Sequence, residues 1–389
     1  MMKGIYDSIV VGAGILGIAH AYFLNKMGHR VALIEKDNQP TSASVRNFGQ
    51  IVPSGFGQKW QNYGRESLKV YNDIQSQMDI GIRREGTLYL AEYAEEVQLI
   101  EELAEINRGQ GYHSEVLTSQ KCEERLPALR KGKVLAGLFF PQELNVDAPF
   151  AIRQLIKYLV KKGVDYFPGT SVSSITEDGK GQVLACAEGK RFSASNAFIC
   201  SGSDCQILFP DLLAAAPIQI VKLQLQLTSP QGGQKFTGSI LTGSSIRRYE
   251  SFKDCPSYPS IMNEGTFRPF FDQHSIHILL KQRRDGRVII GDSHHYAPIH
   301  EPEKLGFEVR HDINQRIFDE VRALFDLPVP SIEQSWLGYY TETIGGDVFQ
   351  ESITDNIFLL TGVGGKGMTA SFGLARQHIE STLRQTTAT

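Results

Sequence analysis

The chain of 389 residues has few of the features that mark metal-binding, secreted or membrane-spanning proteins. Its five cysteines are odd in number and show no CxxC spacing, so we expect buried or idle thiols and neither a disulfide framework nor a metal site. No uninterrupted apolar run reaches the ~18 residues that a membrane-spanning helix requires. The first motif begins within a few residues of the start, which leaves no room for a signal peptide. We therefore expect a cytoplasmic protein without membrane contact.

The charges are mixed along the whole sequence, and no run of one sign stands out. There are 40 basic and 43 acidic residues, which give a formal net charge of −3. This balance and the pI near 6.4 disfavour nucleic acid as a partner. A GxSxG nucleophile motif and an internal repeat are also absent. The composition is that of a soluble globular protein, and the length allows two or three domains.

The segment 7–36, DSIVVGAGILGIAHAYFLNKMGHRVALIEK, carries the strongest positive signal. An apolar run at 8–11 is typical of a buried parallel strand, and three glycines follow it in a GxGxxG arrangement. Apolar residues then recur at helical spacing as far as Met27, and a second apolar run at 31–34 ends in Glu35. The pattern predicts strand, glycine turn, helix and strand, which is the unit that binds dinucleotides.

Each part of this unit has a physical role. Gly12 permits the tight turn, Gly14 lets the backbone approach a pyrophosphate, and Gly17 lets helix and strand pack closely. The amino terminus of the helix offers N–H groups and a partial positive charge to the phosphates. Glu35 lies 18 residues beyond Gly17, close to the ~20 expected of the acid that binds an adenosine ribose. Its carboxylate would repel a 2′-phosphate, which disfavours NADP.

Two further segments extend the predicted cofactor site. The polar segment 38–50 follows the ribose-binding strand directly and contains Arg46 and Gly49. The sequence GVGGKG at 362–367 lies between a predicted strand and a predicted helix, as the first glycine motif does. Read alone, it is compatible with a structural turn; read with the first motif, it indicates a second contact with the same cofactor. A cofactor that needs both ends of the chain is long, which favours FAD over NAD.

The second half of the chain has a different pattern. Residues 218–229 alternate strictly between apolar and polar, as do two stretches within 274–295 that a DG turn separates. Such alternation predicts antiparallel sheet with one face wet or turned to a ligand. Helix is expected at 303–326. The prediction is an α/β fold in which a Rossmann-like FAD-binding domain is interleaved with a substrate-binding domain built on a mostly antiparallel sheet. The predicted segments are 1–50, 145–215 and 336–389 for the FAD-binding domain, and 51–144 and 216–335 for the substrate-binding domain.

Several motifs together carry a family resemblance. They are the first glycine motif with Glu35, ASVRNFG (43–49), NVDAP (145–149), ICSG (199–202), WLGYY (336–340) and TGVGGKGMTASFG (361–373). With these motifs the chain resembles the D-amino acid oxidase superfamily of FAD enzymes, which includes glycine oxidase and sarcosine oxidase. In finer detail SVRNFG, VKLQ and GDSHHY resemble a branch proposed to serve organophosphonate breakdown.

The resemblance implies an extended, non-covalently bound FAD. The glycine motif and Glu35 would hold the adenosine end, and the positive charge of Lys366 would stabilise the anionic reduced flavin. A solvated turn lysine is the alternative for Lys366. The residues expected to contact FAD are Gly12, Ala13, Gly14, Ile15, Leu16, Gly17, Glu35, Lys36, Ser44, Arg46, Asn47, Phe48, Gly49, Val172, Ser201, Gly202, Gly338, Gly362, Gly364, Gly365, Lys366, Gly367, Met368 and Thr369.

The chain departs from the family pattern at three positions. Many relatives that oxidise amino acids carry an arginine for the substrate carboxylate where this chain has Tyr340. Sarcosine oxidase uses a lysine for the same purpose where this chain has Thr369, and its flavin-attaching cysteine corresponds to Gly338. The usual carboxylate contacts are therefore missing.

These features predict a FAD-dependent oxidoreductase that transfers a hydride from the carbon beside an amine nitrogen to flavin N5. The expected substrate is a small amine with a distal anion, such as 2-aminoethylphosphonate or its N-alkyl derivatives, in a site with few carboxylates. Molecular oxygen or another acceptor would reoxidise the flavin, and the oligomeric state stays open. Two alternatives are a 2-hydroxy acid oxidase or dehydrogenase and a flavin-binding subunit without turnover. The candidate catalytic or substrate-contacting residues are Lys366, His294, His295, Tyr340 and Arg46, with either histidine as the base in the hydroxy acid reading.

Overall fold

A computed structural model describes residues 2–264 and 268–386. Residues 265–267 of the predicted substrate-binding domain and residues 1 and 387–389 of the predicted FAD-binding domain lie outside this range. Among the described residues, no helix is both long and apolar enough to cross a membrane. All five cysteines are free, and four of them are buried.

Strands and helices share the chain throughout its length. The strands are β1 (Met2–Val11), β2 (Val31–Ile34), β3 (Gln50–Ile51), β4 (Thr87–Ala91), β5 (Glu115–Thr118), β6 (Ala136–Phe140), β7 (Leu144–Asn145), β8 (Asp165–Phe167), β9 (Val172–Glu177), β10 (Val183–Ala187), β11 (Lys190–Ile199), β12 (Ile218–Thr228), β13 (Ser239–Leu241), β14 (Leu279–Gln282), β15 (Val288–Pro298), β16 (Ile332–Thr343), β17 (Phe349–Ser352) and β18 (Ile357–Thr361). The α-helices are α1 (Ile15–Lys26), α2 (Gln58–Gln77), α3 (Ala94–Gly109), α4 (Ser119–Arg125), α5 (Ala148–Lys161), α6 (Pro210–Ala215), α7 (Gly243–Ile246), α8 (Tyr258–Glu264), α9 (Pro269–Gln273), α10 (His311–Leu324) and α11 (Gly367–Thr386).

The first sheet has the strand order β17-β18-β11-β1-β2-β8, with β9 and β10 extending from β11. Strand β1 pairs in parallel with both β2 and β11, because its run of branched apolar residues is buried on both faces. The carboxyl ends of four parallel strands therefore meet at one edge of the sheet. Gly12, Glu35, Cys200 and Gly362 follow those four ends, so segments far apart in sequence share one crevice.

Helix α1 is apolar on nearly every side and lies between the first sheet and α11. Nine of its residues, from Ile15 to Leu24, are buried. The ring of Tyr22 meets the ring of Phe372 of α11 edge to face, with centroids 5.6 Å apart. Because β1, β11 and β18 run parallel in the first sheet, the glycine motifs that follow β1 and β18 lie at the same edge of the sheet.

The second sheet has the order β16-β12-β15-β14-β13-β4-β6-β5 and is antiparallel except for the β13–β4 pair. One face of this sheet was expected to be wet or turned to a ligand, and it is not the polar side of β12, because α10 covers that side. Gln224 donates from Nε2 to Asn314 Oδ1 of α10 at 2.8 Å, and Gln226 donates to the Asn314 carbonyl at 2.9 Å. The apolar side, with Leu223 and Leu225, instead lines the cavity described below.

These two sheets confirm the predicted α/β fold class. The helix expected at 303–326 is interrupted: a short 3-10 helix at Pro302–Leu305 precedes α10. The two-domain division stays a prediction. Strand β16 crosses the predicted boundary between residues 335 and 336, and along its length it pairs with β12 of the second sheet.

Candidate active site

Two neighbouring cavities lie along the carboxyl edge of the first sheet. The smaller, about 190 Å³, adjoins the glycine turn after β1 and the end of β2. The larger, about 570 Å³, lies between this edge and the apolar face of the second sheet. Ala43 and Ser44 line both cavities, so the two meet at the 3-10 helix Ala43–Val45. Together they form an elongated space of the kind that an extended dinucleotide occupies.

The turn after β1 leaves no room for side chains. Gly12 has φ +96°, and a Cβ there would lie 2.5 Å from the Cys200 carbonyl oxygen. A Cβ at Gly17 would lie 1.8 Å from the Gly12 carbonyl oxygen, so α1 packs directly against the turn. Gly14 caps α1, and the Ile15 N–H donates to Ser44 Oγ at 2.9 Å. The helix end therefore presents backbone and one hydroxyl group where the two cavities meet.

Glu35 lies in the wall of the smaller cavity and is 7% exposed. The Ala13 N–H donates to its Oε2 at 2.8 Å, and the Asp37 N–H donates to its Oε1 at 3.1 Å. Each carboxylate oxygen keeps a further lone pair for a ribose hydroxyl. Lys36 lines the same cavity but pairs with Asp204 at 2.6 Å, and that hydrogen bond raises the pKa of Lys36.

The segment around Arg46 closes the cavities on one side. The Arg46 guanidinium donates to the Thr41 carbonyl at 2.6 Å and to the Leu337 carbonyl at 3.1 Å. Asn47 stabilises the loop at both ends, because its Nδ2 donates to the Ala43 carbonyl and its Oδ1 accepts from the Gly49 N–H. The role of Arg46 in this structure is thus to hold a loop that lines the larger cavity.

The second glycine motif forms the opposite wall of the larger cavity. Gly362 has φ +76° and Gly364 has φ +66°, conformations that favour glycine. Lys366 donates to the Gly346 carbonyl at 2.9 Å, pairs with Glu250 at 2.8 Å and lies over the Trp60 ring. The alternative of a solvated turn lysine is therefore the poorer description of Lys366, because only 12% of its side chain is exposed.

A further wall of the larger cavity, called the far wall here, carries charged and aromatic side chains. Arg248 donates from Nη1 to the Ser275 carbonyl at 3.1 Å and from Nη2 to the Tyr296 hydroxyl at 3.0 Å. The rings of His294 and Tyr296 stack with centroids 6.4 Å apart, and Tyr340 meets His294 edge to face. The residues of this wall are Arg248, Tyr249, His277, Asp292, His294, Tyr296 and Tyr340.

Burial sets the protonation of these groups. It lowers the pKa of His277 and lowers that of His294 to about 3, so both rings are neutral at pH 7. Burial alone would raise the pKa of Asp292, but the neighbouring His294, His277 and Arg248 lower it overall. Burial also raises the pKa of Tyr340 well above 10, which leaves its hydroxyl protonated.

Nearly the whole sequence matches one protein family. Residues 7–380 match the family described as DAO, FAD dependent oxidoreductase. The chain belongs to this DAO family. The predicted superfamily and the predicted cofactor, FAD, are both confirmed by this membership, while the phosphonate branch stays a prediction.

Relatives in the DAO family differ in what they act on. The chain is 27% identical over 213 residues to glycine oxidase of Geobacillus kaustophilus, covering 51% of this chain and 55% of that protein. It is 22% identical over 276 residues to D-amino acid dehydrogenase of Granulibacter bethesdensis, covering 55% and 65%. It is 26% identical over 208 residues to L-2-hydroxyglutarate dehydrogenase of Escherichia coli K12, covering 51% and 47%. The chain thus spans between about half and two thirds of the length of these relatives.

The fold has a solved counterpart. The crystal structure of glycine oxidase from Geobacillus kaustophilus matches with a TM-score of 0.76 over 98% of this chain and 95% of that chain, at 18% identity. At this identity the match establishes the shared fold alone.

The two cavities fit FAD. The smaller is lined by Gly12, Gly14, Glu35, Lys36 and Val172, as expected for the adenosine end, and by Ser201 and Gly202. Fourteen of the predicted contacts line the larger: Ile15, Ser44, Arg46, Asn47, Phe48, Gly49, Gly338, Gly362, Gly364, Gly365, Lys366, Gly367, Met368 and Thr369. Ala13, Leu16 and Gly17 line neither cavity in the described structure and instead form and support the turn. A Cβ at Gly338 would lie 2.9 Å from Leu223 Cδ1, so a side chain at this position would require Leu223 to shift.

Of the candidate catalytic residues, His295 does not face the cavity. Its Nε2 lies 3.0 Å from His274 Nδ1, and burial lowers its pKa to about 4. Side chains alternate along β15, so His294 and His295 point to opposite faces. The interpretation of His295 as a substrate contact or base is therefore wrong, whereas His294, Tyr340, Arg46 and Lys366 line the larger cavity.

Five residues of the far wall were missed in the sequence: Arg248, Tyr249, His277, Asp292 and Tyr296. Asp292 lies within the GDSHHY motif and shares its face with His294, so the two-residue spacing was a usable signal. Arg248 and His277 lie in segments without a motif. Only the tertiary structure brings them to the cavity.

Proposed function

We propose that this chain oxidises the C–N bond of a small amine that carries an anionic group away from its nitrogen. The leading candidates are 2-aminoethylphosphonate and its N-alkyl derivatives. The observation that carries the proposal is Arg248, a cation on the far wall of the larger cavity. Among the described residues, no carboxylate lies within ion-pair distance of it.

The positions that bind a carboxylate in relatives argue against ordinary amino acids. By the resemblance described above, those positions are Tyr340 and Thr369 here, and neither is a cation. Tyr340 keeps its proton because burial raises its pKa, and Thr369 Oγ1 accepts the Val52 N–H at 3.0 Å. A substrate carboxylate buried without a partner costs several kcal/mol. Sarcosine and common D-amino acids should therefore be poor substrates.

Arg248 offers what a distal anion requires. A guanidinium carries five N–H donors, and only two of its hydrogen bonds, to Ser275 and Tyr296, are made by the described residues. A phosphonate has three acceptor oxygens and up to two negative charges, which suits a planar donor of this kind. The Tyr296 hydroxyl, already held by Arg248, adds a further polar group at the same place.

Bound FAD supplies a hydride acceptor at flavin N5, and the residues supply position and environment. Phe48, Leu223, Leu225 and Leu279 form an apolar wall that excludes water from the reacting amine. An amine with a pKa near 10 loses its proton at pH 7 at a cost of about 4 kcal/mol for ~3 units. An apolar surrounding lowers this cost because it disfavours the ammonium form.

The expectation of few carboxylates in the site is wrong, since four line the larger cavity. Three of them have a hydrogen-bond or ion-pair partner in the described structure, which limits how strongly they favour an ammonium group. The pairs are Glu250 with Lys366 at 2.8 Å, Asp347 with Lys59 at 2.9 Å and Glu342 with Gln219 at 2.8 Å, whereas Asp292 lies between His277 and His294.

The test is flavin bleaching after anaerobic mixing of the FAD-loaded chain with single compounds. The panel contains glycine, sarcosine, D-alanine, 2-aminoethylphosphonate and N-methyl-2-aminoethylphosphonate. We expect fast bleaching by a phosphonate and slow or no bleaching by the three amino acids. Fast bleaching by D-alanine or sarcosine with none by the phosphonates would overturn the proposed substrate class. Mixing the reduced enzyme with oxygen then tells whether oxygen is the acceptor.

The hydroxy acid alternative has one observation in its favour. His294 is neutral and lines the cavity, so its ring has a lone pair that can accept an alcohol proton. Bleaching by L-2-hydroxyglutarate or lactate, and by no amine, would select this function. If no compound bleaches a flavin that dithionite reduces normally, the chain is a flavin-binding subunit.

A further inference from the structure

Three side chains converge in the far wall of the larger cavity. His277 Nε2 lies 2.8 Å from Asp292 Oδ1, and His294 Nε2 lies 3.8 Å from Asp292 Oδ2. One ligand atom from each residue can be chosen so that all lie within 4.8 Å of one another. The three side chains are buried and yet all line the cavity.

Hydrogen bonds on the outer side of both rings fix which nitrogen carries a lone pair. His294 Nδ1 lies 3.3 Å from the Ser275 carbonyl oxygen, which can only accept, so the proton is on Nδ1 and the lone pair on Nε2. Ser245 Oγ lies 3.4 Å from both the Ile278 carbonyl oxygen and His277 Nδ1; when the hydroxyl donates to the carbonyl, it accepts from Nδ1 and the His277 lone pair is on Nε2. Both rings are thus held by their Nδ1 atoms, as metal-ligating histidines are.

The lone pair of His277 then faces an acceptor. Asp292 Oδ1 is buried and has no hydrogen bond of acceptable geometry in the described structure, although His277 Nε2 is only 2.8 Å away. Two lone pairs that point at one region repel each other unless a cation lies between them. A second proton on His277 or a metal ion supplies that charge. Only the metal ion also uses the lone pair of His294 Nε2, which lies 3.8 Å from Asp292 Oδ2.

The donor set suits a divalent first-row transition metal. Imidazole nitrogen and carboxylate oxygen bind such ions at about 2.0–2.2 Å, which places neighbouring ligand atoms about 3.0–3.5 Å apart. The separations of 2.8 and 3.8 Å lie on either side of this range. Two histidines and one carboxylate fill three positions and leave others open to the cavity.

A cation at this point also resolves a charge conflict. Arg248 contributes one positive charge to the far wall and Asp292 one negative charge, so Asp292 offsets part of the attraction that Arg248 offers to a phosphonate. A divalent ion at Asp292 makes the same wall strongly positive. Open coordination positions would then face the group that Arg248 also contacts.

We propose that His277, Asp292 and His294 bind a divalent transition-metal ion such as Zn²⁺, and that this ion and Arg248 together hold the anionic group of the substrate. The first half stands on the geometry of the three side chains. The second half rests on the function proposed above.

The first half is tested by metal binding to the full FAD-loaded chain. After chelator treatment and dialysis, calorimetric titration with ZnCl₂ should give one equivalent per chain. His277→Gln and Asp292→Asn should weaken Zn²⁺ binding by about tenfold or more. His295→Gln is the matched control, because the neighbouring ring on β15 faces the other way, and it should bind Zn²⁺ as the wild type does. Flavin absorbance verifies that each variant is folded.

Failure of the wild type to bind a stoichiometric Zn²⁺ would overturn the site whatever the variants do. Equal binding by wild type and His277→Gln would also overturn it.

The second half is tested with methylphosphonate, which has no amine and cannot be oxidised at a C–N bond. Its dissociation constant, followed through the flavin spectrum, should fall about tenfold when Zn²⁺ is present; no change with Zn²⁺ bound would reject the second half. The bleaching panel tests the proposed function separately, since Zn²⁺ binding does not depend on its result.

Discussion

His294 and His295 are consecutive residues of β15 whose rings lie on opposite faces of the second sheet. The ring of His294 faces the larger cavity and stacks with Tyr296 at a centroid distance of 6.4 Å. The ring of His295 faces away from the cavity, where its Nε2 lies 3.0 Å from His274 Nδ1. Two adjacent, chemically identical side chains therefore have different surroundings, which makes them a matched pair for mutagenesis.

His294→Gln should slow anaerobic flavin reduction by about tenfold or more, equivalent to about 1.4 kcal/mol. The reason is that it removes a ring from the cavity wall and a partner of Asp292. His295→Gln should retain the rate and instead lower the melting temperature, since its ring packs against His274. Stopped-flow reduction and thermal unfolding of both variants check this. Equal loss of rate in both would contradict the assignment of faces.

Glu35→Ala should weaken FAD binding. The substitution removes two acceptors for ribose hydroxyls, each hydrogen bond to a charged group being worth on the order of 1.5–3 kcal/mol. It also removes the acceptor of the hydrogen bond that the Ala13 N–H now donates to Glu35. Glu35→Gln is the control that keeps shape and one acceptor oxygen, so its loss should be smaller. Fluorescence titration of the apoprotein with FAD measures both; an unchanged dissociation constant in Glu35→Ala would remove Glu35 from the ribose site.

The flavin should leave the protein intact on acid precipitation. Gly338 occupies the position that matches the flavin-attaching cysteine of sarcosine oxidase, and Leu223 fills the adjacent space. The supernatant should therefore contain all of the FAD and the pellet should be colourless. Yellow colour that stays with the denatured chain would indicate a covalent bond elsewhere.

The glycine turn after β1 and Glu35 were predictable because they lie in one short segment of the sequence. A turn that excludes side chains at Gly12 and Gly17 demands glycine, and the acid after the next strand follows from the geometry of the same unit. The substrate half was not, because His277 and Asp292 face each other only through sheet pairing. Their backbones exchange hydrogen bonds of 3.1 and 2.8 Å across a hairpin, which no spacing motif records.

Two of the sequence interpretations were incomplete for reasons that the structure makes plain. Strict alternation in β12 indicated a sheet with one polar face, but could not tell that α10 covers it through Asn314. The positive charge of Lys366 was read without its partner, because Glu250 lies more than a hundred residues away in sequence. The alternation of residues predicts on which face of a strand a side chain lies, but only tertiary packing determines what that face contacts.

Lys281 should make the free energy of unfolding depend on pH above neutrality. Burial lowers its pKa from 10.5 to about 7, despite the opposing effect of Asp147. Between about pH 7 and 10.5 the unfolded chain then binds more protons than the folded chain, so stability rises with pH by up to about 1.4 kcal/mol per unit. Below about pH 7 both states are protonated, and the full cost of the buried charge remains.

Lys281→Met should flatten this dependence, because it removes the titrating group and keeps an apolar chain of similar length. Lys59→Met, at an exposed ion pair with Asp347, is the control and should leave the slope unchanged. Denaturant unfolding at a series of pH values measures the slope. Parallel curves for the wild type and Lys281→Met would mean that Lys281 is protonated in the folded chain.

Arg248 and Arg46 both line the larger cavity, and their contacts predict different consequences of mutation. Arg46 is held by the carbonyls of Thr41 and Leu337, so its guanidinium stabilises the loop beside the cofactor. Arg248 makes two hydrogen bonds, to Ser275 and Tyr296, and keeps donors for a ligand. Arg46→Gln should therefore weaken FAD binding, whereas Arg248→Gln should leave FAD bound and weaken the substrate.

For Arg248→Gln we expect the apparent dissociation constant of 2-aminoethylphosphonate to rise about 10- to 100-fold, the loss expected when a hydrogen-bonded charge worth about 1.5–3 kcal/mol is removed. The limiting rate of flavin reduction at saturation should change much less, because the guanidinium binds the distal anion and not the reacting carbon. D-Alanine, which has no distal anion, should bind the variant and the wild type equally weakly. Concentration dependence of anaerobic reduction separates the two constants. If Arg248→Gln lowers only the limiting rate, Arg248 does not hold the anion and the far wall has another purpose. If Arg46→Gln alone raises the substrate dissociation constant, the anion is held by the Arg46 loop.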